Sequence, residues 1–506
     1  MDKLLYGKND TERIVCVEVE EDTAKLFIRK TPEELEVVEV SNRYWLLCNK
    51  KIDNNWTRLQ GDLYYKYGRQ FTSRKDFAVT RGRLKNSDTF SIWNEKESLM
   101  VKDGYTYHKG MQSHELNILG IDIEGTGLDL NDESKVLLIA CTFRKGSNII
   151  RKLFAYDSYS NEREMLIDFC DYVRHIDPDI ILAHNGFGYD FRYLNYIAQR
   201  CGTQLYLGRN GSALYMDDRE SKFRIDGTRD LHYHKCKIYG REIIDTMFLA
   251  YKYDIGRKYS SYSLKNIIRQ EGLEKSDRAH YDSSKIRFNY TIPSEWEQIK
   301  RYCEHDADDL ISLYDLMIAP FFYLAVHIPK SFQEIMTSAS GSQINAMMIR
   351  GYLQDKHSIP KADPVMAYPG AISFGIPGIW NNTFKVDVAS LYPSIMLHYK
   401  VYSPEKDPKA YLYEITKTLR EKRLYHKKLA KESQYHDNMQ ATIKILINSL
   451  YGFMGASGLN FNYLKGADFV TRTGREILTK AIQWASGEEY GINKQHEFEN
   501  FDIDES

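Results

Sequence analysis

Apolar and polar residues alternate through roughly the first hundred positions. Ile14–Glu20 reads IVCVEVE, Lys25–Lys30 reads KLFIRK and Arg43–Lys51 reads RYWLLCNKK. Such period-two runs predict short strands, with turns at Asn54-Asn55 and Gly61-Asp62. The pattern changes at Leu116–Ile123, LNILGIDI, an apolar strand followed by Glu124-Gly125-Thr126-Gly127. A second apolar strand is predicted at Ile180–Ala183, running into HNGFGYDFRYL with a helix from about Phe191. Glu297–Leu313 has the spacing of an amphipathic helix, and Phe332–Tyr352 also reads as helical. In Lys385–Leu397, KVDVASLYPSIML, Val386 and Val388 flank Asp387, which places that carboxylate at the end of a half-buried strand. A turn through Ala389, Ser390 and Leu391 then leads into a helix with Pro393 in its first turn. After Pro404 and Pro408 come a charged helix, Tyr413–Glu432, a break near His436-Asp437, and a second helix, Met439–Tyr451. A last helix is expected over Thr471–Ser486, before GINKQHEFENFDIDES. Strands come first, then mixed elements, then mainly helices, which predicts an α+β multidomain chain.

Composition changes this picture little. At 506 residues the chain can hold about three domains. Its 42% hydrophobic and 27% charged residues are an ordinary globular balance. A formal charge of −1 gives no bulk basic signature. It does not exclude nucleic acid, because a basic groove can coexist with carboxylate-rich sites. The 38 tyrosines decide nothing, since tyrosine is common in cores and on surfaces. Seven scattered cysteines with no C-x-x-C pair argue for reduced intracellular thiols, against a disulfide framework or a zinc ribbon. The start, MDKLLYGKND, lacks an apolar signal core, and no apolar run is long enough to span a bilayer. The expectation is a cytoplasmic protein (host-cell cytoplasm if phage-encoded) with no membrane partner.

Candidate chemistry lies at a few spacings. Asp122 and Glu124 are two apart on a strand and share a face, where like charges repel unless a cation lies between them. Alone this is weak, because D-x-E occurs on many surface strands. Tyr302 and Asp306 are i and i+4 on the helix around YCEHD, as are Arg423 and Lys427, and Lys444 and Asn448, on the later helices. A charge run on a helix is usually a solvated face, but three cations suit a triphosphate. The end of the Asp387 strand can hold a divalent metal while the following backbone N–H groups receive phosphate oxygens. His232, His234 and Cys236 alternate in DLHYHKC and could line one face as metal ligands; the plainer reading is an exposed hairpin with polar side chains.

Together these strings resemble known families. D-I-E at Asp122–Glu124, N-x-x-x-x-D at Asn185–Asp190 and Y-x-x-x-D at Tyr302–Asp306, in this order, resemble the Exo I, Exo II and Exo III motifs of the 3′–5′ proofreading exonucleases. The resemblance covers about 115–320, including Gly240–Met247 (GREIIDTM) and Ser260–Ile268 (SSYSLKNII). D-V-A-S-L-Y-P-S-I from Asp387 resembles motif A of the family B DNA polymerases, and K-x-x-x-N-S-x-Y-G from Lys444 resembles their motif B. Tyr368-Pro369-Gly370-Ala371 resembles the Y-x-G-G/A element, although a plain β-turn is its alternative.

The resemblance implies a β-rich amino-terminal domain over 1–110 and a ribonuclease-H-like α/β exonuclease domain over 111–320. A helical connection over 321–365, palm over 366–403, two-helix fingers over 404–458 and a partial palm over 459–506 complete the implied order. At the exonuclease site it implies Asp122, Glu124, Asp190 and Asp306 as ligands of two divalent ions, Mg2+ or Mn2+. Tyr302 would orient the attacking water, and Asn185 would hold the single strand or a neighbouring ligand. At the polymerase site it implies Asp387 as a ligand of a second ion pair. The deoxynucleoside triphosphate would lie among Ser390, Leu391, Tyr392, Arg423, Lys427, Lys444 and Asn448. Tyr392 would be the steric gate against a ribose 2′-OH, and Lys444 would assist the leaving pyrophosphate. Tyr368, Gly370, Tyr451 and Gly452 would contact DNA. The implied partners are primer-template and single-stranded DNA, deoxynucleoside triphosphates and a sliding clamp.

The pattern departs from the family at its end. The family's second catalytic aspartate lies in a Y-G-D-T-D-S hairpin beyond motif B. Here Asp502 and Asp504 in FDIDES have D-x-D spacing, but the preceding HEFEN is polar and no second strand follows. An acidic tail, or an insertion before the real motif C, is the preferred reading, with the thumb missing. The chain thus resembles roughly the first two-thirds of a compact, phage-type family B polymerase. It is expected to be a subunit of a split polymerase whose second polypeptide carries motif C and the thumb. The alternatives are a stand-alone 3′–5′ exonuclease, a chain in which FDIDES completes the metal site, and a non-catalytic single-strand DNA-binding module.

Overall fold

The computed structural model describes residues 2–225, 229–364, 369–372, 377–379, 381–383, 388 and 390–486. The amino-terminal region is built on two antiparallel sheets. Ile14–Glu20 (β1), Thr23–Arg29 (β2) and Leu35–Ser41 (β3) form one, in the order β1-β2-β3. Tyr44–Cys48 (β4), Thr57–Arg58 (β5), Tyr67–Phe71 (β6) and Thr89–Phe90 (β7) form the other, in the order β5-β6-β4-β7. Asp2–Tyr6 (α1) packs against the later helix Ser340–Gln354, and Arg74–Gly82 (α2) and Glu95–Asp103 (α3) pack on the sheets. Strand β4 is buried on both faces: Trp45 and Leu47 join the central core, while Tyr44, Leu46 and Cys48 pack with Trp56 and Phe71.

The next unit is a five-stranded mixed sheet. It contains Ile118–Gly125 (β8), Val136–Lys145 (β9), Asn148–Ala155 (β10), Ile180–Ala183 (β11) and, after the two-stranded hairpin Tyr215–Arg224 (β12) and Asp230–Lys237 (β13), Glu242–Asp245 (β14). Its order is β10-β9-β8-β11-β14; β8 to β10 are antiparallel, and β11 runs parallel to both β8 and β14. Glu162–Ile176 (α4) and Asp190–Arg200 (α5) cover one face. There Leu119, Ile121 and Ile123 of β8 are buried, each stabilising the fold by roughly 1.5–3 kcal/mol. The alternate residues, Asp122 and Glu124, therefore point to the opposite face, which Pro293–Met317 (α9) covers. Gly120 permits this approach: a Cβ there would lie 2.8 Å from the Ala307 carbonyl oxygen of α9. Thr246–Tyr253 (α6), Leu264–Gln270 (α7) and Ile286–Asn289 (α8) lie between β14 and α9 in the chain.

The remainder is helical: Ala319–Leu324 (α10), Phe332–Thr337 (α11), Ser340–Gln354 (α12), Leu391–His398 (α13), Tyr411–Leu429 (α14), Gln434–Gly455 (α15) and Leu464–Ser486 (α16). Three sequence expectations are corrected here. The helix expected over Phe332–Tyr352 is two helices. Ser338 and Ala339 are extended between them, and the buried Lys252 ammonium accommodates the break by donating to the Ile335 and Ser338 carbonyls at 3.1 and 2.9 Å. The break expected near His436-Asp437 falls at 430–433. Ser433 caps α15 by accepting from the Tyr435 N–H at 3.2 Å, and Asp437 lies in the first turn, where a helix favours negative charge. Val388, expected in a half-buried strand, is 48% exposed. Helices α9 and α16 extend beyond their expected bounds, α16 beginning at Leu464 rather than Thr471. Among the described residues no helix is long and apolar enough to cross a membrane.

Candidate functional site

Asp122 and Glu124 of β8 meet Asp306 of α9, and one carboxylate oxygen from each lies within 4.8 Å of the others. Burial pushes the Asp122 carboxyl well up, and the charges of Asp306, Glu124 and Asp190 push it further. Burial, then Asp306, also raises the Glu124 carboxyl, against an opposing pull from Lys265. Two carboxyls that resist ionising, set beside the Asp306 carboxylate, make an oxygen-donor set that a hard divalent cation satisfies. Asp190 starts α5 on the other side. It is buried and is pushed up to about 7, chiefly by burial, against a lowering pull from the Ile123 backbone. The fold therefore groups three of the four expected ligands and sets Asp190 near enough for its charge to act on two of them.

Tyr302 lies one turn before Asp306 and is 3% exposed. Its hydroxyl is held up, away from ionisation, by burial and by Asp306, Glu124 and Asp122. Lys265 of α7 donates to this hydroxyl and sits 4.1 Å from the ring centroid. Asn185 is exposed, with a left-handed backbone (φ 61°) whose N–H is held by Asp245 Oδ1 at 2.9 Å. Two further neighbours escaped the sequence reasoning. Arg278, buried to 2% of its side chain, ion-pairs with Asp306 and holds Asp309 at 2.8 Å. The Cys303 thiol lies 3.4 Å from Asp122 Oδ2. The charged string EKSDRAH around Arg278 reads as a solvated loop, so nothing in it betrays a buried guanidinium. Lys265 lies in SSYSLKNII, where no spacing sets the lysine apart from a solvated one.

The histidine pair is accounted for by the β12–β13 hairpin. His232 Nδ1 meets Glu220 Oε2 at 2.6 Å, His234 Nδ1 meets the Asp217 carbonyl at 3.0 Å, and Cys236 is buried in the core. The hairpin expectation holds for the histidines, but Cys236 is not an exposed polar position.

A second cleft, of about 690 Å3, lies where α13 faces α14 and α15. Ser390, Leu391, Tyr392, Arg423, Lys427, Lys444 and Asn448 all line it, together with Arg420, which sequence reasoning missed although it lies on the face of Arg423 and Lys427. The Arg423 guanidinium donates to Ser390 Oγ at 2.7 Å. The Tyr392 and Tyr451 rings lie 4.5 Å apart, and a Cβ on Gly474 would come within 3.0 Å of Tyr392. A side chain added at Gly452 would meet nothing within 4 Å. The Gly370 carbonyl accepts from Arg475. Asp387, Tyr368, Asp502 and Asp504 lie outside the described residues.

Comparison with known proteins agrees with this arrangement. The description "DNA polymerase family B, exonuclease domain" matches residues 82–267, and "DNA polymerase family B" matches residues 408–505. The DNA polymerase of Thermococcus gorgonarius is 23% identical over 458 residues, covering 82% of this chain and 57% of that protein. The DNA polymerase of Archaeoglobus fulgidus is 25% identical over 436 residues, covering 79% and 52%. The chain spans about half the length of the curated relatives it matches. The solved family B DNA polymerase from the hyperthermophilic archaeon Pyrobaculum calidifontis shares the fold, with a TM-score of 0.75 at 18% identity over 94% of this chain and 72% of that one. With an acidic centre on a mixed sheet, a cationic cleft between two helices, and family matches at both, the chain belongs to the family B DNA polymerases, of which it carries the exonuclease domain and part of the polymerase domain.

Proposed function

We propose that this chain removes nucleotides from the 3′ end of single-stranded DNA by divalent-metal-assisted hydrolysis, as the proofreading portion of a replicative polymerase. The observation that carries the reading is the grouping of Asp122, Glu124 and Asp306 within 4.8 Å. These acids, with Asp190, would hold two Mg2+ or Mn2+ ions, which supply a polarised water and stabilise the leaving oxygen. Tyr302, fixed by Lys265 and kept protonated, donates toward the attacking water. Asn185 faces the single strand. Arg278 holds Asp306 in place and offsets part of the acidic charge. Replacing Asp122 and Glu124 together by Ala tests this: degradation of 3′-labelled single strands in Mg2+ falls at least about a thousandfold, several kcal/mol of transition-state stabilisation. Undiminished degradation refutes the assignment.

The cleft at α13–α15 supports a second role for the same protein. We infer that Arg423, Lys427 and Lys444 take the triphosphate of an incoming deoxynucleotide, with Ser390, Leu391 and Asn448 beside it and Lys444 serving the leaving pyrophosphate. Tyr392, braced by Tyr451, excludes the 2′-OH, and Asp387 supplies a metal ligand. Tyr368, Gly370, Tyr451 and Gly452 lie along the primer-template. Template-directed synthesis further uses a second catalytic aspartate and a thumb, and we propose a second polymerase polypeptide and a sliding clamp as partners. Primer extension by the chain alone, then with the completing polypeptide, is the test: synthesis appears only in the second case, and efficient extension by the chain alone refutes the need for a partner.

A further inference from the structure

Strands β11 and β14 run side by side, with Ala183 opposite Asp245. Beyond Ala183 the chain turns sharply over residues 184–189 before α5 starts at Asp190. Asp245, at the end of β14, is 2% exposed, and its one carboxylate serves three backbone N–H groups. Oδ1 accepts from Asn185 at 2.9 Å and from Met247 at 3.0 Å; Oδ2 accepts from Phe187 at 3.2 Å. The Met247 bond caps α6, but the other two reach across the sheet edge into the turn.

The turn has backbone bonds of its own, from the Gly188 and Tyr189 N–H groups to the Asn185 carbonyl at 2.9 and 2.8 Å, and Asp245 ties it to the sheet edge. Asn185 occupies the left-handed region at φ 61°, and its Oδ1 lies 2.3 Å from where a Cβ on Gly188 would stand, so glycine there leaves the Asn185 side chain in its present place. The neighbouring residue adds a second tie. His184 Nδ1 meets Thr246 Oγ1 at 2.9 Å, and its Nε2 meets the Tyr262 carbonyl at 2.8 Å. Residues 245–246 thus anchor the turn from which both Asn185 and Asp190 project.

We propose that Asp245 is a positioning residue of the exonuclease site: it fixes the 184–189 turn, and with it Asn185 on the strand side and Asp190 on the metal side, while touching neither DNA nor metal. The proposal rests on the exonuclease reading above. A carboxylate suits the task because two oxygens can divide three N–H donors between α6 and the turn, whereas a hydroxyl can serve only one end.

Asp245→Ser in the full chain separates the two duties, since serine is a good helix cap but cannot span to the turn. The variant melts within about 5 °C of the unmodified chain. Hydrogen exchange in a 184–190 peptide speeds up at least about tenfold, while a 247–253 peptide is unchanged. Affinity for a single-stranded oligonucleotide in EDTA falls about tenfold, and 3′ degradation in Mg2+ falls further because Asp190 is displaced as well. Equal exchange and equal single-strand affinity in the two chains overturn the proposal, as does a loosened turn with unchanged affinity and degradation. If the unmodified chain fails to degrade single strands in Mg2+ or Mn2+, the exonuclease reading falls and takes this proposal with it. Full activity in both chains overturns this proposal alone.

Discussion

The acidic centre around Asp122 and the cationic cleft around Lys444 solve opposite electrostatic problems with different materials. The first takes its acids from a central strand and a 25-residue helix that pack on each other, with Gly120 letting the backbones close. Its side chains are held by packed neighbours: buried Arg278 on Asp306, half-buried Lys265 on Tyr302, buried Cys303 on Asp122. The second takes its cations from α14 and α15, where the long side chains of Arg420, Arg423, Lys427 and Lys444 reach into an open cleft and Arg423 donates to Ser390 Oγ. Like charges gathered inside a fold need a rigid, compensated frame, or they push apart or take up protons. Cations gathered at an open cleft stay solvated and can wait for their anion at little cost. The acidic site is thus held by its own packed frame, whereas the cleft leaves its cations open to solvent.

The contrast can be broken experimentally, beginning with the largest effect. Asp122→Ala with Glu124→Ala lowers single-strand degradation about a thousandfold or more, yet leaves nucleotide binding at the cleft unchanged by fluorescence titration. Loss of both activities would mean that the two regions are not separable. Arg278→Ala leaves Asp306 and Asp309 buried without their cation and costs about 3 kcal/mol in denaturant melts; a near-neutral result would show that the acidic site does not need its frame. Gly120→Ala, which drives a methyl against the Ala307 carbonyl, costs about 2 kcal/mol by the same measurement. Lys444→Met weakens deoxynucleotide binding about tenfold, or ~1.4 kcal/mol, with no change in melting temperature.

The smallest effect is a dependence on pH. Because burial and mutual repulsion raise the Asp122 and Glu124 carboxyls, the folded metal-free chain binds protons more tightly there than the unfolded chain does. The stability they contribute therefore falls as pH rises from about 5 to 8, and a divalent ion restores most at the alkaline end. Melting temperatures in EDTA and in MgCl2 should diverge by a few degrees with rising pH, and Asp122→Asn should narrow the gap. Parallel curves would show that Asp122 and Glu124 are not strained by their surroundings.

What was legible in the sequence was whatever local spacing carries. The alternation in β8 put Asp122 and Glu124 on one face because side chains in a strand alternate, and the four-residue spacing in α9 put Tyr302 beside Asp306 because a helix repeats in 3.6 residues. The same rule aligned Arg423 with Lys427 and Lys444 with Asn448, and all four line one cleft. Boundaries that depend on distant partners were misplaced. The chain breaks at Ser338 partly because Lys252, far away in sequence, donates to the freed carbonyls. No spacing could have brought Arg278 to Asp306, Lys265 to Tyr302 or Asp245 to the turn at Asn185, since each contact joins separate elements through the sheet and its covering helices. The sequence by itself determined which residues share a face, because that follows from backbone periodicity. Only the tertiary structure decided which faces meet, and so which buried charges find a counter-charge, because loss of water and the approach of distant groups exist only once the chain has closed on itself.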